Sequence, residues 1–337
     1  MKEALFYKRL KDKKIGCELC PHRCILEDGS VGRCGVRQNI GGTLMTKNYG
    51  MISALNMDPI EKKPFYHFYP GEEVLSIGSI GCNMNCAYCQ NYEIAKEFKG
   101  IRAKEYTYED ILRNFKGFGV AFTYNEPTVW YEFMLDVAKL AKCCSKKTMM
   151  ITNGFIEREP LLELTPYIDG FSVDLKGFTE EVYSELGGTL EGVKNTLKVI
   201  TGRNKHLEIE FLLVPKLNDD RETFIEMVKW VRDELGSNIV LHINGYYPSY
   251  KLKTPATEKK LLLEFHEVAK KYLNYVYIGN AGIDLDTVCS CGNLLVQRDG
   301  WNVEMLGLGE DGRCKKCGEK VVETGGSYEK KGGVCKG

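Results

Sequence analysis

No stretch of the 337-residue chain approaches the roughly 20 consecutive apolar residues that a membrane-spanning helix requires. The opening residues, MKEALFYKRLKDKK, alternate charge with apolar groups and lack the apolar centre of a secretory leader. The protein is therefore expected in the cytoplasm. Charge of one sign is missing too: 46 basic residues balance 46 acidic ones, and no long charged run occurs. Neither a nucleic acid nor a membrane surface is expected as a partner, because both need a basic face. Internal repeats of the solenoid kind are absent as well, and prolines number only 10.

What the chain has in quantity is cysteine, 14 in all, and most fall in three groups. The first is Cys17, Cys20, Cys24 and Cys34; the second is Cys82, Cys86 and Cys89; the third is Cys289, Cys291, Cys314 and Cys317. In a reducing compartment, closely spaced cysteines are metal ligands more often than disulfides. A chain this long can also build a core without disulfide staples.

Between about residues 71 and 285, short apolar runs alternate with longer amphipathic ones. Strands are expected over 73–80, 119–124, 147–152, 170–175, 207–214, 238–244 and 275–280, and helices over 108–116, 129–144, 190–201, 220–235 and 257–273. In the fourth of these helices, Phe224, Met227, Val228 and Val231 recur at helical spacing behind a capping Asp220. Repeated strand–helix units imply parallel strands covered by helices, in an α/β barrel, complete or partial, or in a doubly wound sheet. The flanks differ: 1–70 is expected as a cysteine-rich extension, 71–285 as the barrel, and 286–337 as a glycine-rich segment in which metal replaces a core.

The middle cysteines lie in GCNMNCAYCQN, directly after an expected strand, where barrel active sites are built. A tetrahedral zinc site takes four ligands, and so does a cubane cluster held by protein alone. Three thiolates can hold three corners of a 4Fe–4S cube and leave one iron open to an exogenous ligand.

The Cys-x3-Cys-x2-Cys spacing with Tyr88 before its last cysteine resembles the signature of the radical S-adenosylmethionine (radical SAM) superfamily. The resemblance implies that S-adenosylmethionine chelates the fourth iron, that the reduced cluster cleaves it to methionine and a 5′-deoxyadenosyl radical, and that the enzyme is oxygen-sensitive. It also implies an electron donor of the flavodoxin or ferredoxin kind and leaves a protein or peptide substrate open. Strand ends elsewhere offer groups for the cofactor: Glu126 in FTYNEPT, Asn153 in ITNG, Asp174 and Lys176 in VDLKG, and His242 in LHING, with Tyr88 as the neighbour of the adenine. Each has a plainer reading. Glu126 would cap a helix, Asn153-Gly154 would be a turn, Asp174 and Lys176 an exposed ion pair, and His242 a hydrogen-bonded core histidine.

These stretches resemble pyruvate formate-lyase activating enzyme and its relatives, which implies a partial (β/α)6 barrel and a glycyl-radical activase as one reading of the function. The Gly-Gly-Glu of that family is YNE here, so Glu126 keeps the acid without the glycines. Over nearly the whole chain, CELCPHRC, GRCGVR, DPIEKKPFYHFYPG, SIGSIGCNMNCAYCQN, FTYNEPT and CGNLLVQRDGW resemble the AmmeMemoRadiSam system radical SAM enzymes. Two departures are Cys289-Ser290-Cys291, where Cys-x2-Cys is usual, and Tyr247, where a histidine is expected.

The first cysteine group is read as an auxiliary iron–sulfur cluster or a structural zinc site, with His22 able to replace one thiolate. The last group is read as a zinc ribbon or rubredoxin-like knuckle, with zinc favoured. The aromatic YHFYP segment is expected in core packing or at the mouth of a substrate pocket, and Lys62-Lys63 in a solvated turn. The reading from another class is a non-catalytic iron–sulfur electron carrier or zinc-binding module.

Overall fold

The computed structural model describes residues 1–113, 117–283 and 285–325. Eight strands form its main sheet: β1 Ala54–Pro59, β2 Glu73–Gly78, β3 Gly119–Phe122, β4 Lys147–Thr152, β5 Gly170–Asp174, β6 His206–Leu213, β7 Val240–Gly245 and β8 Tyr275–Gly279. From β2 to β8 the strands run parallel in chain order, and β1 pairs antiparallel with β2. The order is linear, with β1 and β8 at the edges, so the sheet is a partial barrel rather than a closed one. It carries the six parallel strands of the expected (β/α)6 barrel and a seventh, β8.

The parallel strands are apolar because helices cover one side and the barrel interior the other. All four residues of β3 are buried, for example, as are Phe171 and Val173 of β5. The main covering helices are α1 Tyr131–Cys143, α2 Leu190–Gly202, α3 Arg221–Glu234 and α4 Lys259–Ala269. In α3 the buried side is Phe224, Met227, Val228 and Val231, and the Asp220 carboxylate accepts a hydrogen bond from the Thr223 amide at 2.8 Å as the cap. Helix α1 is buried on nearly every side, because the N-terminal extension packs on the face turned away from the sheet. There Arg37 and Glu132, both almost wholly buried, form an ion pair at 3.0 Å, and the Leu5 amide donates to the same carboxylate at 2.8 Å.

The strands lie within one or two residues of the expected ones. Besides the short strands of the two flanks, several elements around the barrel were not legible. The helices Arg158–Leu164 and Glu180–Glu185 are too short to show a helical period. Strand β1 lies inside the extension expected over 1–70, and its Leu55 and Met57 face solvent at the sheet edge, so it has no apolar alternation. Helix 108–116 is seen over Tyr108–Arg113, and its last three expected residues fall outside the described ones. No helix among the described residues is long and apolar enough to cross a membrane.

Candidate active site

The three-cysteine loop leaves the carboxyl end of β2 and is held from several sides. The Asn125 side chain accepts from the Ser79 amide and donates to the Gly81 carbonyl, both at 2.9 Å. Gly81 has φ +90°, and a Cβ there would stand 2.8 Å from the Cys34 carbonyl oxygen, so only glycine fits. On the other side the amides of Lys251 and Leu252 donate to the Ala87 carbonyl at 2.9 Å, and Ser249 Oγ donates to the Cys89 carbonyl at 3.2 Å. The loop is thus fixed before any metal arrives.

Without a metal, burial holds its sulfurs as thiols. Burial pushes the Cys82 thiol up to about 12, while the Lys96 ammonium works against that shift. Burial raises Cys86 and Cys89 as well, against the charges of Lys176 and Lys96. The Met84 amide points at Cys82 Sγ at 3.4 Å. Bound cations would displace the protons and stabilise the deprotonated form. The Tyr88 hydroxyl is buried beside Cys86 with no hydrogen bond of standard geometry. Three sulfurs and two lysines fit an anionic cluster.

Glu126 follows β3 and is 4 % exposed. Its carboxylate accepts from Thr128 N at 3.0 Å, Thr152 Oγ1 at 2.6 Å and Asn153 N at 2.8 Å. The capping reading therefore holds: Glu126 caps the 3-10 turn Pro127–Trp130 and ties it to the end of β4. Two carboxylate oxygens offer about four acceptor sites, so three donors leave about one for a ligand. Burial raises the Glu126 pKa against these three donors. Asn153 Nδ2 reaches Asn83 Oδ1 at 2.9 Å and Cys82 Sγ at 3.7 Å. The turn after it needs Gly154 at φ +70°, because a Cβ there would stand 2.9 Å from Val173 Cγ1. Past β5, Lys176 Nζ pairs with Asp174 Oδ2 at 2.8 Å. Burial pulls the Lys176 pKa down, but Asp174, Cys86 and Tyr88 outweigh it and hold it well above its usual range.

His242 is not in this group. It is the third residue of β7, 2 % exposed, with Nε2 at 2.6 Å from Glu208 Oε2 and 3.7 Å from Glu210 Oε1. Its ring packs edge-on against Tyr66. The structure thus accords with the plainer reading of a core histidine, its Nε2 committed to a buried carboxylate. Glu208 also accepts from the amides of Tyr66 and His67 at 2.9 and 2.8 Å, which anchors the YHFYP segment at the amino ends of the strands. That segment plugs the far end of the barrel and does not line a pocket mouth beside the cysteines. Lys63 is likewise no solvated residue, being buried with its Nζ 2.8 Å from Asp58 Oδ2.

Residues that sequence reasoning missed include Asn83, Lys96, Asn125, Thr152 and Glu210. Their partners are remote in the chain, so no local pattern marks them. Burial raises Glu210 well above the carboxylate range, and Asp174 adds to the effect through its charge.

The flanking groups lie at opposite ends of the barrel. Cys289 and Cys317 sulfurs are 3.5 Å apart, those of Cys291 and Cys314 are 3.6 Å apart, and all four lie within 4.8 Å of one another. A zinc–sulfur bond of about 2.3 Å at tetrahedral angles sets sulfurs about 3.8 Å apart, so the cage fits one zinc. The ribbon docks on the plug: the Glu323 amide donates to the His67 carbonyl at 2.7 Å, and the Arg298 guanidinium lies 4.3 Å over the Tyr66 ring. The first group lies instead beside the three-cysteine loop. There His22 Nε2 is 2.7 Å from the Asn83 carbonyl, which engages one of its two ring nitrogens.

A family model described as the Radical SAM superfamily matches residues 76–231. The uncharacterized protein MJ0808 of Methanocaldococcus jannaschii is 40% identical over 331 residues, covering 95% of this chain and 99% of that protein. Pyruvate formate-lyase 1-activating enzyme of Escherichia coli is 28% identical over 207 residues, covering 57% of this chain and 81% of that one. Among solved structures, a radical SAM methyltransferase from Sphaerobacter thermophilus aligns with a TM-score of 0.49 at 12% identity, covering 63% of this chain and 67% of that one.

Proposed function

The chain belongs to the radical SAM superfamily, and from that premise we propose that Cys82, Cys86 and Cys89 hold its site-differentiated 4Fe–4S cluster. Enzymes of this class use that cluster together with S-adenosylmethionine. When bound, the pair supplies a one-electron reduction of the sulfonium that releases methionine and a 5′-deoxyadenosyl radical, which takes a hydrogen atom from the substrate.

The chain's own residues divide the remaining work. Glu126 offers its free acceptor site to the cofactor's ammonium, and Thr152 and Asn153 hold that carboxylate in one orientation. Lys176, kept protonated by Asp174, offers a cation to the cofactor's carboxylate, and Asp174 offers acceptors to ribose hydroxyls. Tyr88 gives an apolar face for adenine. Lys96 balances negative charge beside Cys82. The observation that carries this reading is the rigid loop of exactly three site cysteines at a strand's carboxyl end, with carboxylate, amide and lysine side chains converging on it.

The motifs that resemble those of the AmmeMemoRadiSam system enzymes support that finer assignment. Similarity to an enzyme whose name states that it activates pyruvate formate-lyase favours a second reading, in which the substrate is a glycine of a partner protein. In either case the electron comes from a low-potential donor of the flavodoxin or ferredoxin kind. Anaerobic reconstitution followed by dithionite and S-adenosylmethionine is expected to yield 5′-deoxyadenosine, and Cys86→Ala is expected to abolish it. Undiminished product from Cys86→Ala, or none from the intact protein, would sink the reading.

A further inference from the structure

Nothing in the proposed chemistry uses the first four cysteines, yet the fold gathers them. Cys17 ends the strand Ile15–Cys17, Cys20 and Cys24 follow on the next turn, and Cys34 precedes the strand Arg37–Ile40. All four thiols line one small cavity of about 20 Å³. The sulfurs of Cys34 and Cys24 lie 3.7 and 3.9 Å from the point where a Gly32 Cβ would stand.

The two four-thiol sites of the chain differ in scale. In the C-terminal ribbon all four sulfurs come within 4.8 Å of one another, the size of a cage for one ion. Among the described residues no three of Cys17, Cys20, Cys24 and Cys34 meet that limit, and a cavity separates them. One zinc bonds sulfur at about 2.3 Å and draws its four sulfurs to about 3.8 Å apart, closer than any three of these stand. An inorganic core of several irons can, because each thiolate binds a different iron.

The surroundings suit an anionic core. The Arg37 guanidinium, wholly buried and paired with Glu132, bears on Cys17 and Cys34. A buried cation beside the thiolates is one means by which proteins stabilise iron–sulfur clusters. The cavity also abuts the active-site loop. The Asn83 side chain bears on the Cys20 thiol and follows Cys82 directly, and the Cys34 carbonyl packs on Gly81.

We propose that Cys17, Cys20, Cys24 and Cys34 ligate an auxiliary polynuclear iron–sulfur cluster, not zinc, next to the Cys82, Cys86 and Cys89 site. This assignment does not depend on the proposed reaction. The test uses the full chain reconstituted anaerobically with iron and sulfide, with iron, sulfide and zinc counted per chain and Mössbauer spectra recorded on iron-57 protein. A Cys82/Cys86/Cys89 triple alanine variant is expected to keep iron and an equal amount of sulfide in a cluster spectrum, with one zinc in the ribbon. In the otherwise unaltered chain, Cys20→Ala/Cys34→Ala is expected to lower iron to roughly four per chain, the content of one cubane. A triple variant with two zincs and no iron, or with one zinc and nothing else, overturns the proposal. So does an iron content unchanged by Cys20→Ala/Cys34→Ala. Production of 5′-deoxyadenosine by the unaltered protein reads the other hypothesis separately.

Discussion

Glu126 shows how one side chain serves both the fold and the site. Three protein donors fix its carboxylate, and the remaining acceptor site is what a cationic group would use. Glu126→Gln keeps the shape but sets an amide N–H against one of those donors. The expected cost is about 1–3 kcal/mol of stability from the unsatisfied buried groups. Loss of the charge-assisted contact to the ammonium should weaken S-adenosylmethionine binding about tenfold or more. Anaerobic equilibrium dialysis and thermal melts measure the two effects; an unchanged dissociation constant for S-adenosylmethionine would remove Glu126 from the binding set. At this scale the sequence reveals residue types at strand ends, as at Glu126, Asn153, Asp174 and Lys176. It does not separate them from His242, which stands on a strand in the same manner but turns to Glu208. That choice depends on a carboxylate 34 residues away.

Among the elements, the plug at the amino ends of the strands joins barrel to ribbon through His67. Its Nδ1 lies 2.9 Å from the Val321 carbonyl and its Nε2 2.6 Å from the Tyr277 hydroxyl. A neutral ring satisfies both, donating from Nδ1 and accepting at Nε2. Burial, with the Arg298 charge, outweighs Glu208 and brings the His67 pKa down to about 3. An unfolded histidine titrates near 6.5, so between roughly pH 6.5 and 3 the unfolded chain binds a proton that the folded chain does not. Stability therefore falls as pH drops through that window. Urea midpoints measured from pH 7 to 5 should decline, and His67→Phe should flatten the slope even though it lowers stability overall; a slope of wild-type steepness in that variant would show that another group carries it. The aromatic segment was legible as a packing element, but its place at the far end was not, because that place is set by backbone bonds to Glu208.

Across the whole molecule, the two four-thiol groups are separated by the barrel. The ribbon closes the amino ends of the strands, and the N-terminal extension packs on α1 and the cysteine loop at the carboxyl ends. Cys291→Ser/Cys317→Ser should lose one zinc and lower the melting temperature, by about 2–4 °C for each kcal/mol of docking lost. Iron content should stay as in the unaltered chain. Parallel loss of iron, measured in the same samples, would contradict the separation of the two ends.

The sequence alone determined the strand–helix alternation, the cysteine groups and their spacing, since apolar period and ligand intervals are local properties of the chain. From these followed the α/β class and the three-thiolate loop after a strand. Tertiary structure decided which polar residues converge on that loop, that β1 joins the main sheet, and that His242 and Lys63 are buried in ion pairs or hydrogen bonds. It also decided the widths of the two four-thiol sites, close-set in the ribbon and spread around a cavity in the extension. Cysteine spacing fixes how many sulfurs can meet, but the distance between them depends on the backbone that carries them and on what fills the space between.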